Sequence, residues 1–294
     1  MLQSLERRAG LPIAFNPTAN SIEWQAGVSC EQTRIRSLTE MRAYIREADA
    51  ISPTDAIYTV YRNLRRTADT EAIQATGLRY DLTVIPPGVF LSNSHSRGPI
   101  RIAEGRRPEA GYSHAEFFRT AGHYHPVKAG TAIAYPEVYE VISGRAYWLL
   151  QKPRAGDPAR LEEMYVVEAG PGEKALMTPG FGHISVNPFG EPLVMANWIS
   201  SAFTYDYKPF ERLRGGGYWV LEAAATDAIE FERNANYREV PELKKLRPKE
   251  VPELGLIRSQ PLYQLSHELG KLRFLSHPEE FVDILTIEKC YRTL

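Results

Sequence analysis

Apolar residues along this chain change rhythm twice. Residues 1–36 show little periodicity and read as an irregular or short-strand arm. Ser37-Leu-Thr-Glu40 is a capping box, with Ser37 as N-cap and Glu40 three residues on. It predicts a helix to about Arg46, ending before Ser52-Pro53. From about residue 56 the texture becomes short runs rich in Val, Ile, Tyr and Trp, broken by Gly and Pro. The runs at 56–63, 80–87, 138–144, 145–152, 163–169, 174–179, 184–187 and 192–200 are predicted strands of an antiparallel sandwich or barrel. Ser143-Gly144 reads as a hairpin turn and 169–173 as another tight turn. Residues 93–116 read as a long loop or insertion. After Asn234 the chain turns to Lys, Glu, Pro and Leu, and 278–292 is expected to be an amphipathic helix, with Phe281, Ile284, Leu285 and Ile287 at helical spacing. The organisation expected is an N-terminal arm and helix (1–55), a β-barrel (56–232) and a partly helical C-terminal extension (233–294).

Composition narrows the class. With 43% hydrophobic residues the 294-residue chain can bury a sizeable core, and a formal net charge of −1 leaves no footprint for nucleic acid. No apolar run reaches the ~18 residues that span a bilayer, so no membrane partner is expected. Two cysteines, Cys30 and Cys290, make no disulfide framework, which fits a reducing, cytoplasmic setting.

The chemistry concentrates in two segments. Gly122-His123-Tyr124-His125 places two imidazoles at i and i+2, on one face if the segment is extended. Glu137 follows, with six residues between it and Gly144; the second segment offers Pro179, Gly180, Gly182, His183 and Asn187. Three imidazoles and a carboxylate suit one divalent ion such as Fe, Mn, Ni, Co or Zn. A single strand histidine is usually a packed or surface residue, and His95, His114, His267 and His277, lacking such partners, are given loop or surface roles. Four ligand-type residues flanked by Gly and Pro at this spacing carry the metal reading.

These two segments resemble the paired motifs of the cupin superfamily, which implies a jelly-roll β-barrel with His123, His125, Glu137 and His183 as ligands. Eleven residues separate His125 from Glu137, more than most cupins have, and a loop insertion accounts for them; Glu140, the substitute, has the wrong spacing to Gly144. The finer resemblance is to the cupin-type glucose-6-phosphate isomerases. It rests on Thr120-Ala-Gly122-His123-Tyr-His125, Glu137-Val-Tyr139, His183-Ile-Ser-Val-Asn187 and Glu191-Pro192. Leu82-Thr83-Val84 and Tyr58-Thr-Val-Tyr61 extend it upstream, to about residues 37–210. It implies glycolytic and gluconeogenic interconversion of glucose 6-phosphate and fructose 6-phosphate, with Glu137 and Tyr139 catalytic and Tyr58, Thr83, Thr120, Gly122, Tyr139 and Tyr207 contacting the phosphorylated hexose. It also implies a homodimer. Ile199 and Tyr205 stand where small archaeal members carry a Tyr and a His. That departure keeps another sugar phosphate, such as mannose 6-phosphate, as an alternative, beside a cupin dioxygenase.

Overall fold

In the computed structural model, which describes residues 1–91, 115–223 and 228–294, two antiparallel-rich sheets pack face to face as a jelly roll. The first has six strands in the order Lys174–Met177, Glu137–Ser143, Leu193–Ser200, Leu78–Ile85, Ala56–Arg62 and Gln32–Ser37, all antiparallel. The second runs Gly182–Val186, Ala146–Arg154, Asp157–Ala169, Lys244–Pro248 and Tyr291–Thr293. A smaller sheet joins Ile229–Arg233, Tyr218–Glu222, Glu116–Phe117 and Val89–Phe90, and Gln3–Ser4, Ile13–Asn16 and Ser21–Trp24 form a fourth, N-terminal sheet. All eight runs predicted as strands contain strands, and Gly144 takes a φ of 78° at its turn. The arm and the extension each lend strands to the barrel: Gln32–Ser37 pairs with Ala56–Arg62, and Lys244–Pro248 runs parallel to Asp157–Ala169.

The six-stranded sheet is covered on both faces, which explains why Leu193–Ser200 is apolar almost throughout instead of alternating. Its outer face packs under the C-terminal extension. Tyr80, Trp198 and Tyr263 form an aromatic cluster there, and the Trp198 indole N–H donates to the Leu262 carbonyl at 3.0 Å. Because side chains alternate across a strand, Glu140 points to this outer side while Glu137 and Tyr139 point inward. Glu140 is buried against Lys174, whose ammonium donates to it at 2.7 Å and to the carbonyls of Gly172 and Gln260; the Leu262 amide donates to its other oxygen at 2.7 Å.

Two helices differ from expectation. The capping box forms, with both Ser37 and Glu40 engaged, but the α-helix is only Leu38–Met41. The backbone beyond is claimed by tertiary partners: Arg214 donates to the carbonyls of Arg42 and Arg46, Arg119 donates to that of Tyr44, and Glu116 accepts from the Arg46 amide. Residues 278–292 are not one helix. A 3₁₀ turn at Pro278–Glu280 is followed by α-helix only at Ile287–Cys290, N-capped by Thr286, before Tyr291 enters the sheet. The rest of the extension is mostly 3₁₀ turns, which keep its apolar side chains on the barrel. The 93–116 reading falls outside the described residues up to residue 114, together with His95 and His114; Glu116 and Phe117 are strand. Among the described residues no helix is long and apolar enough to cross a membrane.

The buried Glu140–Lys174 pair makes a stability prediction. Burial raises the Glu140 carboxyl to about 6 against the opposing pull of Lys174. A carboxyl raised on folding favours the native state when protonated, so its contribution is present below its ordinary range and lost as pH rises through about 6. Lys174→Met leaves the carboxylate buried and unpaired, which costs about 3–5 kcal/mol. We expect that loss at pH 8 and a smaller one at pH 5, where Glu140 takes up a proton, measured by urea unfolding; equal losses at both pH values would contradict this account.

Candidate metal centre

The inner face of the six-stranded sheet is the floor of a cavity of about 50 Å³. Period-2 alternation puts every second residue of five neighbouring strands on that face. These are Arg34 and Arg36, then Tyr58, Val60 and Arg62, then Asp81 and Thr83, then Met195 and Asn197, then Glu137 and Tyr139. The register aligns them in rows: Arg34, Val60, Thr83 and Met195 lie side by side, as do Asp81, Asn197 and Tyr139. Thr120, Ala121, Gly122, His123, Tyr205 and Tyr207 form the facing wall.

That wall is hung on the strand Gly182–Val186. The backbones of His123 and His183 form an antiparallel bridge, with mutual N–H to carbonyl bonds at 3.3 and 3.1 Å, and the Thr120 amide donates to the Ser185 carbonyl at 2.9 Å. The bridge brings the two rings to a centroid distance of 4.4 Å. Gly122 enters it with φ +80°, and a Cβ there would lie 2.6 Å from Ile184 Cγ1 and 2.8 Å from Phe210 Cδ1, so only glycine fits. The residues between His125 and Glu137 close as a small hairpin through the Val127–Ala134 bridge. It returns the Tyr135 carbonyl to 2.9 Å from His125 Nδ1. A donating Nδ1–H there leaves His125 Nε2 with its lone pair free.

His123, His125, Glu137 and His183 thus come together, with one ligand-type atom from each within 4.8 Å of the others. Glu137 Oε2 lies 3.3 Å from Nε2 of His125 and of His183, and 3.8 Å from that of His123. His123 Nε2, His125 Nε2 and Glu137 Oε2 are buried and make no hydrogen bond. Buried polar atoms are almost always satisfied, so a convergent set left open fits a cation held among them. Burial drives His123 down to about 3 and His183 in the same direction, helped at His123 by the neighbouring rings, so these two imidazoles are neutral at neutral pH, as metal ligation requires. For Glu137 burial acts upward, but the three imidazoles outweigh it and hold the carboxyl well below its ordinary range. Its second oxygen accepts from the Asn197 side chain at 2.6 Å.

Of the residues assigned to substrate, Tyr58, Thr83, Thr120, Gly122, Tyr139 and Tyr207 all line the cavity. Tyr139 OH lies 3.4 Å from His183 Nε2. Burial raises the Tyr58 phenol to about 12, and burial with the Glu137 charge raises Tyr139 further, so both keep their protons as donors. Tyr205 packs on His123 at 4.2 Å and accepts from Arg79, which with Arg62 clamps Asp81 at 2.9 Å. Ile199 is fully buried and is not in the lining. Glu140, turned to the outer face, is no substitute for Glu137. His267 is exposed, and His277 sits near Glu279 and Glu280, which already pair with Lys128 and Arg273.

Sequence reasoning missed Asn197 and the arginines of the floor. Asn197 was detectable as the one amide inside an otherwise apolar run, and Arg34 and Arg36 as cations at i and i+2 in a short extended segment.

The family model for glucose-6-phosphate isomerase (GPI) matches residues 109–238. No curated protein matches the chain in sequence. Solved structures similar to it include an oxalate oxidase in complex with glycolate, at 13% identity over 50% of this chain and 52% of that one, with a TM-score of 0.30. The chain spans about half the length of that oxidase. Another is a Bacillus subtilis oxalate decarboxylase described for its Mn(II) centres, at 15% identity over 52% and 29%, TM-score 0.31. A third is the cupin domain of a transcriptional regulator from Enterobacter cloacae, at 11% identity over 49% and 96%, TM-score 0.27. The segment 109–238 is similar to the glucose-6-phosphate isomerase family, and it carries all four converging ligand-type residues.

Proposed function

We propose that this protein is a metal-dependent aldose–ketose isomerase of a phosphorylated hexose, with glucose 6-phosphate and fructose 6-phosphate as the pair. The observation that carries the reading is the cavity itself: an open set of three imidazoles and a carboxylate at one place, with Tyr58, Thr83 and Thr120 hydroxyls and three arginines sharing the same walls. The family match supports the reaction class.

His123, His125, Glu137 and His183 would hold the divalent ion, which when bound polarises a substrate carbonyl as a Lewis acid. Isomerisation moves one hydrogen between C2 and C1 and one proton between their oxygens. Glu137, giving up its place as a ligand when the sugar binds, is the base for the carbon proton: it takes the proton from C2 of the aldose and returns it to C1 on the same face. Asn197 fixes the orientation of this carboxylate through Oε1, leaving Oε2 toward the cavity side where the imidazoles meet. Tyr139, kept protonated, donates to a sugar oxygen and orients C1–C2. Tyr58, Thr83 and Thr120 anchor the phosphate end by hydroxyl donation, so binding energy from the far end positions the reacting carbons.

Tyr205 favours keeping a second sugar in view, because its phenol stands against His123 in the cavity and shapes the sugar end. A panel of hexose phosphates with product analysis separates glucose 6-phosphate from mannose 6-phosphate as substrate.

Two outcomes are expected. Chelation abolishes isomerisation, and adding back a divalent ion restores it together with the lost melting temperature; oxygen uptake in place of isomerisation would overturn the reading in favour of an oxygenase. Glu137→Gln lowers kcat by about 10²–10⁴-fold, with metal content measured on the same sample. Full turnover by the metal-loaded variant would remove Glu137 from its role as base.

A further inference from the structure

The cavity floor ends on an edge strand, Gln32–Ser37, that sequence alone placed in the N-terminal arm. Arg34 and Arg36 alternate with Ile35 along it. Both arginines line the cavity, while the Ile35 side chain is left in solvent at 56% exposure. Arg36 is paired across the sheet with Tyr58, Arg34 with Val60, and Thr83 follows Val60 in the same row. The cations therefore stand beside two of the hydroxyls already assigned to the phosphate end. The Arg36 side chain is only 12% exposed and lies over the Tyr207 ring at 5.6 Å.

Their charge is only half matched. Glu40 Oε1 serves both arginines, at 3.0 Å from Arg34 and 3.5 Å from Arg36, and its Oε2 is occupied by the Ser37 amide of the capping box. Deeper on the floor Arg62 and Arg79 share Asp81 in the same two-to-one ratio. The mouth side of the cavity thus carries excess positive charge on planar forks, the geometry that binds a phosphate dianion through two parallel hydrogen bonds.

We propose that Arg36, backed by Arg34, is the cationic anchor of the substrate's phosphate, so that the edge strand Gln32–Ser37 selects for phosphomonoester dianions. Glu40 holds the two guanidinium groups in place when no substrate is bound, and phosphate displaces it. The proposal rests on the isomerase reading above for the identity of the rest of the substrate, but the anion site itself can be measured without turnover.

The test uses the metal-loaded full chain and inorganic phosphate as the probe, by calorimetry and as an inhibitor of isomerisation. Arg36→Met is expected to weaken phosphate binding and raise KM by about 10- to 100-fold, the loss of a charge-assisted hydrogen-bonded contact, with kcat changed far less; Arg34→Met acts in the same direction by about threefold. Glu40→Gln keeps the capping box, because Gln serves at that position as well, and frees both arginines. It is expected to tighten phosphate about two- to fivefold at low salt, a gain that a folding defect cannot imitate and that decides the matter should Arg36→Met not fold. Phosphate affinity and KM within twofold of wild type in a folded Arg36→Met, or phosphate affinity no tighter than wild type in Glu40→Gln, would overturn the anchor while leaving the isomerase reading intact. Phosphate binding that follows these variants in a protein that isomerises no hexose phosphate would overturn the isomerase reading and leave the anion site standing.

Discussion

Glu137 is a carboxylate with 1% of its surface in water, and the arrangement around it keeps it charged. An ion of this size taken out of water costs several kcal/mol unless it is met. Three imidazoles reach it from two segments that backbone bridges hold together, and one amide reaches it from the adjacent strand. Each of those contacts fixes something larger. The His123–His183 bridge sets the wall against the second sheet. The Asn197 contact braces the carboxylate against the neighbouring strand of the floor. The hairpin after His125 serves to bring the Tyr135 carbonyl to one ring nitrogen. Positions that look like separate motifs are parts of one solution to a buried charge.

The same strand carries the opposite solution three residues on. Glu140 is equally buried but faces outward, where a lysine and a backbone amide meet it with every oxygen occupied. One carboxylate is closed by the protein, the other is left with an open oxygen. The odd spacing between them, with the period of the strand, sends one to each face, and the completeness of their partners separates a structural charge from one poised for chemistry.

How much of this could be read in advance follows from where each partner comes from. The strands were legible because sheets covered on both faces select runs of Val, Ile, Tyr and Trp. The convergence of His123, His125, Glu137 and His183 was legible because a cluster drawn from two short segments leaves its spacing in the sequence. Asn197 was not, since its meaning depends on the diagonal it makes with Glu137 across a strand pair. Arg34 and Arg36 were hidden for the same reason: the segment holding them has little apolar pattern, and only its register against Ala56–Arg62 puts them in the cavity. The helix after Ser37 was read too long because Arg119, Arg214 and Glu116, remote in sequence, take the backbone groups its next turn needed.

The Glu140–Lys174 pair also carries a consequence for synthesis. Its last two partners, the Gln260 carbonyl and the Leu262 amide, come far later in the chain than the barrel strands they serve, and the Tyr291 hydroxyl closes on the Leu176 carbonyl later still. On the ribosome, the barrel strands emerge long before the groups that let their outer charges be buried. The outer face of the six-stranded sheet therefore stays wet until residues 260–291 have been made and have docked on it.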